Sequence, residues 1–332
     1  MCMKGVKVTL RQAQTVKRAL IELDCINQSF YPVKTKEHII FPVHFVPDGY
    51  DVVEENFEQK EEQPSLHDLL DVPENLLDKL PSSQERVGDI MILEVPQELE
   101  PYETNIAQAY LTLNKDINTV VKKTQVHHGV FRTRGVEVLA GNKTKRTIHK
   151  ENSVRLAIHL EQTYFSARLS NERMRVARQV KHDDVLVMFS GAAPYPLVIW
   201  KHAEPKSITG IEINPKAHEL AMENLKLNKC TTIKLYNDDV RNMLPSLGKF
   251  DRIIMPLPKT SEQFLPLALQ HCKPGTVIHL YTFLHVNEFE SEKDKLREIC
   301  ERAGYTVTFT KTVPCGQHAP YIFRVCYDIT VQ

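Results

Sequence analysis

Short apolar runs alternate with segments of helical periodicity throughout the second half of the chain. The apolar runs predict strands, at residues 185–189, 207–213, 232–236, 250–255, 276–281, 304–310 and 321–330. The intervening segments predict helices, at residues 170–180, 194–202, 215–228, 261–271 and 287–302. Because the last two strands follow each other without a helix, one of them must run antiparallel to an otherwise parallel sheet. The pattern therefore predicts an α/β domain at residues 166–332, with a Rossmann-like, mixed sheet of seven strands.

The first half has a weaker pattern, which predicts two smaller α+β domains and a linker. Residues 1–46 contain a helix within 9–25 and a short strand at 38–43. Residues 47–72 are rich in acidic side chains and poor in apolar ones, which indicates a linker. Residues 73–165 form the second predicted domain, with helices at 73–80 and 105–113 and strands at 90–95, 135–140 and 154–160. A turn is expected at Gly141-Asn142, between the last two strands.

Length and composition exclude several classes of protein. With 332 residues the chain is too long for one small core, and its 42% hydrophobic and 25% charged residues are typical of globular proteins. It contains no apolar run of about 18 residues that could span a membrane. The N-terminus lacks the apolar segment and cleavage site of a signal peptide. Seven scattered cysteines without a CxxC motif indicate reduced thiols, no metal site and a cytoplasmic location.

The formal net charge of zero hides two segments of opposite charge. Residues 48–103 contain 17 acidic and 3 basic side chains, whereas residues 132–181 contain 12 basic and 4 acidic ones. A basic segment of this kind attracts a polyanion such as RNA, although a solvated charged surface gives the same composition. The basic residues of the first domain have the same two interpretations.

The turn after the first strand of the α/β domain indicates a cofactor site. A strand, the small residues Ser190-Gly191 and a helix follow one another, an order that exposes backbone N–H groups. The turn lacks the GxGxxG signature of nicotinamide-binding proteins. Glu212 and Asp239, at the ends of the second and third strands, could accept hydrogen bonds from a ribose and an adenine, although either could be a helix N-cap. With the antiparallel strand, they favour a class I methyltransferase and S-adenosylmethionine, which carries no phosphate.

Glu172 is the candidate catalytic acid. It lies near the start of a predicted helix, among arginines at positions 168, 173, 175 and 178. If the side chain faces the methyl donor, its carboxylate could accept a proton from a base nitrogen. An ordinary ion pair with Arg175, three positions further on, explains the same spacing.

Taken together, these segments resemble the archaeal and eukaryotic tRNA (guanine-37-N1)-methyltransferase family. The resemblance rests on an ordered set of motifs: GVFRTRGVEVLAG, RTIHKEN, YFSARLSNERMRVA, FSGAAPYPLVI, GIEINPKAHELAMENLKLN, DDVRNMLP and DRIIMPLPK. Residues 1–46 match more loosely. The resemblance implies a monomeric class I methyltransferase with two tRNA-recognising domains, which binds S-adenosylmethionine and the anticodon stem-loop of tRNA at nucleotide 37. The first domain would contact the tRNA elbow.

The resemblance also implies roles for individual residues. Glu172 matches the family's general base, Arg173 its neighbouring catalytic arginine, and Arg132 the arginine that contacts the guanine carbonyl. Cofactor-binding positions are matched by Arg168, Phe189, Gly191, Tyr195, Glu212, Asp239 and Pro256. Substrate-binding positions are matched by Tyr164, Arg134, His149, Lys150 and Pro258. Taken alone, His149 is more typical of a loop or structural histidine.

Two departures from the family pattern bear on the substrate. Most members carry Asn-Leu-Pro after the fourth strand, where this chain has Pro256-Leu257-Pro258, and the cofactor turn has Tyr195 where others have Pro-Phe-Ser. Both departures are similar to the archaeal subgroup that also methylates C7 of the wyosine precursor 4-demethylwyosine. The sequence leaves open whether N1, C7 or both are methylated. It also leaves open an inactive tRNA-binding protein, and a methyltransferase that acts on rRNA or protein.

Overall fold

The computed structural model describes residues 1–60, 64–81, 84–124 and 134–332. Arg132, which the resemblance places at the guanine carbonyl, lies outside these residues. The chain divides into two compact units, Met1–Leu69 and Leu70–Gln332. Within the described ranges, no helix combines the length and the apolar character needed to cross a bilayer.

The first unit is a four-stranded antiparallel sheet with one helix. Its elements are β1 (Cys2–Thr9), α1 (Ala13–Glu22), β2 (Val33–Lys34), β3 (His38–Pro42) and β4 (Val52–Asn56). The strand order is β2-β3-β1-β4, and each neighbouring pair is antiparallel. Val6, Leu20 and Phe41 are buried in its core.

The fourth strand corrects the predicted domain boundary. β4 lies inside residues 47–72, which the sequence predicts as a linker, but it pairs with β1, so the first unit extends past residue 46. The side chain of Glu54 lies opposite Lys4 on β1, and pairs of opposite charge stabilise neighbouring antiparallel strands. Part of the acidic segment therefore forms a paired strand. Composition alone does not distinguish such a strand from a solvated linker.

The second unit begins with a four-stranded sheet and one helix. The elements are β5 (Gln84–Val87), β6 (Ile90–Leu93), α2 (Glu103–Leu113), β7 (Thr119–Lys123) and β8 (Val136–Gly141). The strands lie in chain order; β6 and β7 are parallel, with α2 in the crossover, and the other pairs are antiparallel. The helix predicted at 73–80 is a 3₁₀ helix, Glu74–Lys79.

A two-stranded hairpin follows, built from β9 (Arg146–Glu151) and β10 (Val154–His159). Its turn residues, Asn152 and Ser153, have positive φ angles of 42° and 57°, as tight hairpin turns require. The predicted turn at Gly141-Asn142 instead precedes β9. This strand is not evident from the sequence, because its segment RTIHKE carries a single apolar side chain. His149 therefore lies on a strand rather than in a loop.

The α/β domain has the predicted mixed sheet of seven strands. Its elements are α3 (Ser170–Ala177), β11 (Asp184–Met188), α4 (Pro194–His202), β12 (Ser207–Glu212), α5 (Pro215–Leu227), β13 (Ile233–Asn237), α6 (Val240–Met243), β14 (Phe250–Met255), α7 (Ser261–Gln270), β15 (Cys272–His285), α8 (Phe289–Arg302), β16 (Val307–Ala319) and β17 (Ile322–Val331). The strand order is β13-β12-β11-β14-β15-β17-β16. The first five strands in this order pair in parallel, and β17 is antiparallel to both of its neighbours. The prediction of one antiparallel strand near the C-terminus is confirmed.

Asn224 fixes the hairpin, helix α5 and the turn after β11 to one another. Its side chain is fully buried. The amide oxygen accepts a hydrogen bond from the N–H of Ala157 on β10 (2.6 Å). The amide nitrogen donates to the carbonyl oxygens of Ala157 (3.2 Å) and of Ala192 in the turn (2.9 Å). One side chain therefore pairs three buried backbone groups of two different segments.

We predict that Asn224→Ala lowers the free energy of unfolding by about 2–4 kcal/mol, because it leaves buried backbone groups without partners. Chemical denaturation measures the change. Met222→Ala is the matched control, since Met222 lies on the same helix and is exposed. Equal stabilities of the two variants would contradict this role of Asn224.

Candidate functional site

A cavity of about 540 Å³ lies at the carboxyl ends of the parallel strands. Its walls come from the segments that follow β11, β12, β13 and β14, together with Thr163 and Tyr164. These strands flank the point where the strand order reverses, which is where open α/β sheets bind their ligands. The volume suits a ligand of nucleoside size.

The turn between β11 and α4 forms one wall of this cavity. Phe189, Gly191 and Ala193 all have positive φ angles, of 60°, 56° and 63°. This left-handed backbone turns the chain sharply from the strand into the helix. Pro194 and Pro196 lack N–H groups, so the start of α4 offers fewer donors than an ordinary helix N-terminus. The turn therefore suits a cofactor without a phosphate.

Glu212 lies at the end of β12 and braces the turn from the other side. One carboxylate oxygen accepts a hydrogen bond from the N–H of Gly191 (2.7 Å), and the other from the N–H of Asn214 (2.8 Å). Burial raises the pKa of Glu212, and backbone hydrogen bonds from Asn214, Gly191 and Ile213 offset only part of this effect. Since a carboxylate has about four lone-pair positions, each oxygen can accept one more hydrogen bond from a ligand in the cavity.

Asp239 lines the cavity and also caps a helix, so both interpretations of this acid apply. Its carboxylate accepts a hydrogen bond from the N–H of Arg241 (2.9 Å) at the start of α6. It also accepts from the Arg241 guanidinium (Nε to Oδ1, 3.0 Å). These hydrogen bonds to Arg241 lower the pKa of Asp239, against a smaller opposing effect of burial. The side chain is therefore held as an anion at the edge of the cavity.

The cavity brings together most, but not all, of the predicted cofactor residues. Phe189, Gly191, Glu212, Asp239 and Pro256 line it. Two others are not among its described lining residues: Arg168 and Tyr195. Arg168 is exposed in a 3₁₀ turn that precedes α3, and Tyr195 is buried under the turn.

Tyr195 and Glu172 belong to one hydrogen-bonded chain in the interior. The hydroxyl of Tyr195 donates to the hydroxyl of Tyr281 on β15 (2.9 Å), and Tyr281 donates to a carboxylate oxygen of Glu172 (2.7 Å). Burial raises the pKa of both tyrosines well above the ordinary value, so both remain protonated donors. The cofactor turn is thus linked through the core to the candidate base.

Glu172 is 5% exposed, and it forms the ion pair with Arg175 that its spacing also predicts. Arg175 donates to one carboxylate oxygen from Nε (2.7 Å) and to the other from a terminal nitrogen (2.8 Å). With the hydroxyl of Tyr281, these bonds use three of about four lone-pair positions. Glu172 is not among the residues described as lining the cavity. One lone-pair position of the carboxylate has no partner among the residues that the structure describes.

Arg175 continues the network to the last strand. It donates to both carboxylate oxygens of Asp328 on β17, at 2.6 and 3.0 Å, and the Nδ1–H of His279 donates to the same carboxylate (2.7 Å). Arg252 donates to Nε2 of His279 (2.8 Å), so the ring is neutral with its proton on Nδ1. Burial alone would raise the pKa of Asp328, but the bonds from His279 and Arg175 outweigh it and hold the pKa well below its ordinary value.

The same network contains a group with the composition of a metal site. His279, Cys326 and Asp328 offer ligand atoms within 4.8 Å of one another. Both ring nitrogens of His279 are already engaged, however, and the guanidinium of Arg175 contacts the Cys326 sulfur (3.3 Å) as well as Asp328. A cation already fills this space, so the group serves as a hydrogen-bonded network.

Arg173, the second predicted catalytic residue, lies in a separate buried pair. It is 2% exposed, and its Nε donates to Glu151 at the end of β9 (2.5 Å). It also donates to the carbonyl of Ser166 (3.1 Å), and its guanidinium lies over the ring of Phe165 (5.1 Å). Burial would raise the pKa of Glu151, but hydrogen bonds from His149 and Arg173 lower it overall. These contacts join α3 to the hairpin.

The predicted substrate residues are divided between the cavity and the hairpin region. Tyr164 and Pro258 line the cavity. His149 accepts a hydrogen bond from the N–H of Gly88 through Nδ1 (3.0 Å), which is a structural contact. Lys150 is exposed on β9. Arg134 is buried and donates to Glu85 (2.8 Å).

Sequence reasoning missed several residues of the site. They include Thr163 and Phe264 in the cavity wall, Tyr281 and Asp328 in the network, and Arg324 beside Tyr164. The sequence carries one signal for these residues: Asp328 is an acidic residue in a run of mostly apolar residues that predicts a strand. Its partners come from other elements, so sequence spacing does not identify them.

The strand order, the antiparallel β17 and a cavity lined by Glu212 and Asp239 at the strand ends together define a class I methyltransferase. The family description TRM5/TYW2 methyltransferase domain matches residues 147–308. The TYW2 N-terminal domain matches residues 66–144, and the tRNA methyltransferase 5 N-terminal domain matches residues 5–51. The hairpin therefore groups with the methyltransferase domain rather than with the preceding one.

Individual relatives extend the match to nearly the whole chain. The tRNA (guanine(37)-N(1))-methyltransferase Trm5b of Pyrococcus abyssi is 33% identical, over 98% of this chain and 98% of its own. Its crystal structure superposes with a TM-score of 0.76, at 32% identity and 99% coverage of both chains. The tRNA (guanine(37)-N(1))/4-demethylwyosine(37)-methyltransferase Taw22 of Nanoarchaeum equitans is 30% identical, over 67% of this chain and 89% of its own. The complex structure of aTrm5 and tRNALeu has a TM-score of 0.71, at 27% identity and 99% coverage of both chains.

The chain belongs to the TRM5/TYW2 methyltransferase family. It is an S-adenosylmethionine-dependent methyltransferase, which confirms the predicted class, enzyme type and cofactor. The residues of the cavity fit this cofactor, because Glu212 and Asp239 can accept hydrogen bonds from a nucleoside, while Arg241, the basic side chain among the described lining residues, is paired with Asp239.

We predict that Glu212→Gln weakens the binding of S-adenosylmethionine roughly 10- to 150-fold, the equivalent of losing one charged hydrogen bond. A glutamine has one acceptor oxygen, so its NH₂ group must face the N–H of Gly191 or of Asn214. Calorimetry measures the dissociation constant. Glu219→Gln, on the exposed face of α5, is the control and should bind normally. An unchanged constant for Glu212→Gln would exclude this carboxylate from the cofactor site.

The buried network predicts a dependence of stability on pH. Burial lowers the pKa of His279, so the folded protein keeps the ring neutral where the unfolded chain, with an ordinary pKa of about 6.5, binds a proton. This contribution is complete above about pH 6.5 and is lost as the pH falls toward the lower pKa of the folded state. Asp328 acts in the same direction, but in a more acidic range.

We therefore expect the free energy of unfolding to fall between pH 7 and pH 5, by an amount that His279→Asn reduces. The asparagine amide keeps a donor toward Asp328 but does not titrate. Denaturation curves at several pH values measure the slope. His182→Asn, at an exposed position, should keep the wild-type slope. An equal slope in all three proteins would place the acid sensitivity elsewhere.

Proposed function

We propose that this protein transfers a methyl group to N1 of guanosine 37 in tRNA. The observation that carries the proposal is the buried Glu172 carboxylate, which Tyr281 and Tyr195 link to the helix that follows the cofactor turn. A named relative with this activity matches 98% of the chain. S-adenosylmethionine supplies the electrophilic methyl group. The chain supplies the orientation of the target base and the acceptor for its proton.

Glu172 acts as the general base in this proposal. It accepts the N1 proton through its remaining lone-pair position, while Arg175 and Tyr281 hold the carboxylate in place. The deprotonated nitrogen then attacks the methyl carbon in line. Arg132 stabilises the negative charge that develops on the guanine O6, an effect that grows as water leaves the site. This role of Arg132 follows from the resemblance of the motif FRTRG.

The protein binds tRNA as a monomer. Its basic segment, residues 132–181, contacts the anticodon arm. Lys150, which is exposed on the β9–β10 hairpin, contacts phosphates of the tRNA. This contact releases counterions from the RNA, which adds affinity for tRNA without selectivity for its sequence. Nucleotide 37 leaves the stack and enters the cavity beside Tyr164 and Pro258. The first unit contacts the tRNA elbow, and the reaction takes place in the cytoplasm.

A second activity, methylation of C7 in 4-demethylwyosine, is favoured by the loop after β14. Pro256 and Pro258 carry neither a side-chain amide nor a backbone N–H. The loop therefore presents carbonyl groups and apolar surface to the base, and it selects less strictly for one edge of the ring system. A named relative with both activities matches 67% of the chain. The alternative that the sequence leaves open, an inactive tRNA-binding protein that does not bind S-adenosylmethionine, is disfavoured by the family match and by the cavity.

Product analysis tests the proposal. The protein is incubated with S-adenosylmethionine and tRNA transcripts that carry G or A at position 37, and the nucleosides are identified by mass spectrometry. We expect 1-methylguanosine from the G37 transcript and no product from the A37 transcript. tRNA that carries 4-demethylwyosine tests the second activity. Absence of cofactor binding by calorimetry would favour the inactive protein.

We predict that Glu172→Gln reduces the rate of methyl transfer about 10²- to 10⁴-fold, because the reaction loses its proton acceptor. The variant should still bind S-adenosylmethionine and unfold cooperatively. Single-turnover kinetics measure the rate of the chemical step. Glu204→Gln, an exposed substitution on the same domain, should react at the wild-type rate. Near-normal turnover of Glu172→Gln would remove this carboxylate from the mechanism.

A further inference from the structure

Four side chains form a continuous stack that runs from the cofactor cavity to the surface. The guanidinium of Arg324 on β17 lies over the ring of Tyr164 (5.7 Å) and over the ring of Phe283 on β15 (5.0 Å). Phe283 in turn stacks on His318 of β16, with ring centres 4.3 Å apart and planes at 29°. We call this set, Tyr164, Arg324, Phe283 and His318, the aromatic–arginine stack. Its inner end lines the cofactor cavity, and its outer end, His318, is exposed.

Arg324 has an incomplete set of partners in this stack. It is buried, and one terminal nitrogen donates to the hydroxyl of Tyr164. Its Nε–H has no hydrogen-bond partner among the residues that the structure describes, although the atom is buried. Buried donors are normally paired, so an unpaired one beside a binding cavity indicates a contact with a ligand. An arginine at this position suits an acceptor oxygen of a base or a phosphate.

The outer end of the stack has a basic side chain beside it, because Lys259 lies in the wall of the same cavity as His318. Burial, followed by the positive charges of Arg324, Lys259 and Lys123, lowers the pKa of His318. The exposed imidazole is therefore neutral at physiological pH. A neutral ring accepts a stacked base, and Lys259 can contact the phosphate of that nucleotide.

The stack is also fixed to the loop that faces the methylation target. The N–H of Phe283 donates to the carbonyl of Pro258 (3.2 Å), and Pro258 lines both the cofactor cavity and a neighbouring cavity of about 590 Å³. Phe283, His318 and Lys259 form the part of this second cavity next to Pro258, and its wall also contains Lys295 and the acidic side chains of Glu262, Glu288 and Glu292. A nucleotide bound there would therefore lie next to the one being methylated.

We infer that the aromatic–arginine stack is a second nucleotide subsite, which binds an unpaired base adjacent to the target nucleotide of the RNA. The base stacks on His318, its phosphate contacts Lys259, and Arg324 donates to an acceptor oxygen of the RNA. This inference rests on the proposed function in one respect, that the substrate is an RNA whose target nucleotide enters the cofactor cavity. It adds a specificity element that acts through RNA binding rather than through the chemical step.

His318→Ala tests the subsite, because His318 is exposed and its loss should not unfold the protein. We expect this variant to bind tRNA and an anticodon stem-loop RNA about 5- to 100-fold more weakly, the range that loss of one base–aromatic stack gives. His318→Tyr, which keeps a stacking ring, should bind within a few-fold of the wild type. The rate at saturating RNA and the affinity for S-adenosylmethionine should be unchanged in both variants.

Tyr321→Ala is the matched control, since Tyr321 is an exposed aromatic residue in the same β16–β17 hairpin but outside the stack. It should bind RNA as the wild type does. Equal binding by His318→Ala and wild type, or equal weakening by Tyr321→Ala and His318→Ala, would overturn the subsite.

Because RNA binding is measured apart from methyl transfer, the two proposals fail separately. A wild type that makes 1-methylguanosine with a His318→Ala variant that binds normally excludes the subsite alone, whereas weakened binding without methylated product supports the subsite and excludes the proposed reaction.

Discussion

The contact of Arg175 with two buried carboxylates, Glu172 and Asp328, is the interaction on which the geometry of the site depends. Buried charges are unfavourable unless each is paired and hydrogen-bonded, and removal of one partner leaves the others uncompensated. Here the guanidinium of Arg175 forms ion pairs with the carboxylate of Glu172 on α3 and with that of Asp328 on β17. His279 forms a further hydrogen bond with Asp328. The position of Glu172 is therefore set in part by β17, the antiparallel strand between β15 and the edge strand β16. The C-terminal β16–β17 hairpin thus helps to hold the candidate base in place.

Most of the α/β domain could be predicted from the sequence because its strands are short apolar runs separated by helices of regular period. The predicted helix at 261–271, for example, corresponds to Ser261–Gln270. Strands that lack this signal could not be predicted in the same way. β4 is acidic and half exposed, and β9 contains one apolar residue, so each is a strand only because a neighbour supplies its hydrogen bonds. Their pairing is a tertiary property that local composition does not carry.

The residues of the candidate site also divide into those that the sequence could place and those that it could not. Residues that follow the ends of parallel strands, such as Glu212 and Asp239, could be placed from the topology, because the ends of those strands share one edge of the sheet. Tyr195 and Arg173 could not, since the direction of a side chain within a turn or helix decides whether it faces the ligand or the core. Both are buried in contacts that fix the surrounding elements, Tyr195 with Tyr281 and Arg173 with Glu151. A motif match identifies such positions as important but does not separate support from chemistry.

The two prolines after β14 connect the cofactor cavity with the proposed RNA subsite. Neither proline offers a donor to the base, so the polar contacts with the target must come from residues around the loop. The carbonyl of Pro258 accepts a hydrogen bond from the N–H of Phe283, which lies on β15 and belongs to the aromatic–arginine stack. This hydrogen bond fixes the position of the loop relative to the stack. In our proposal, selectivity then comes from stacking and from neighbouring nucleotides rather than from an amide that reads one edge of the base. Such a site accommodates ring systems of different width, as methylation of both guanosine and a tricyclic precursor would require.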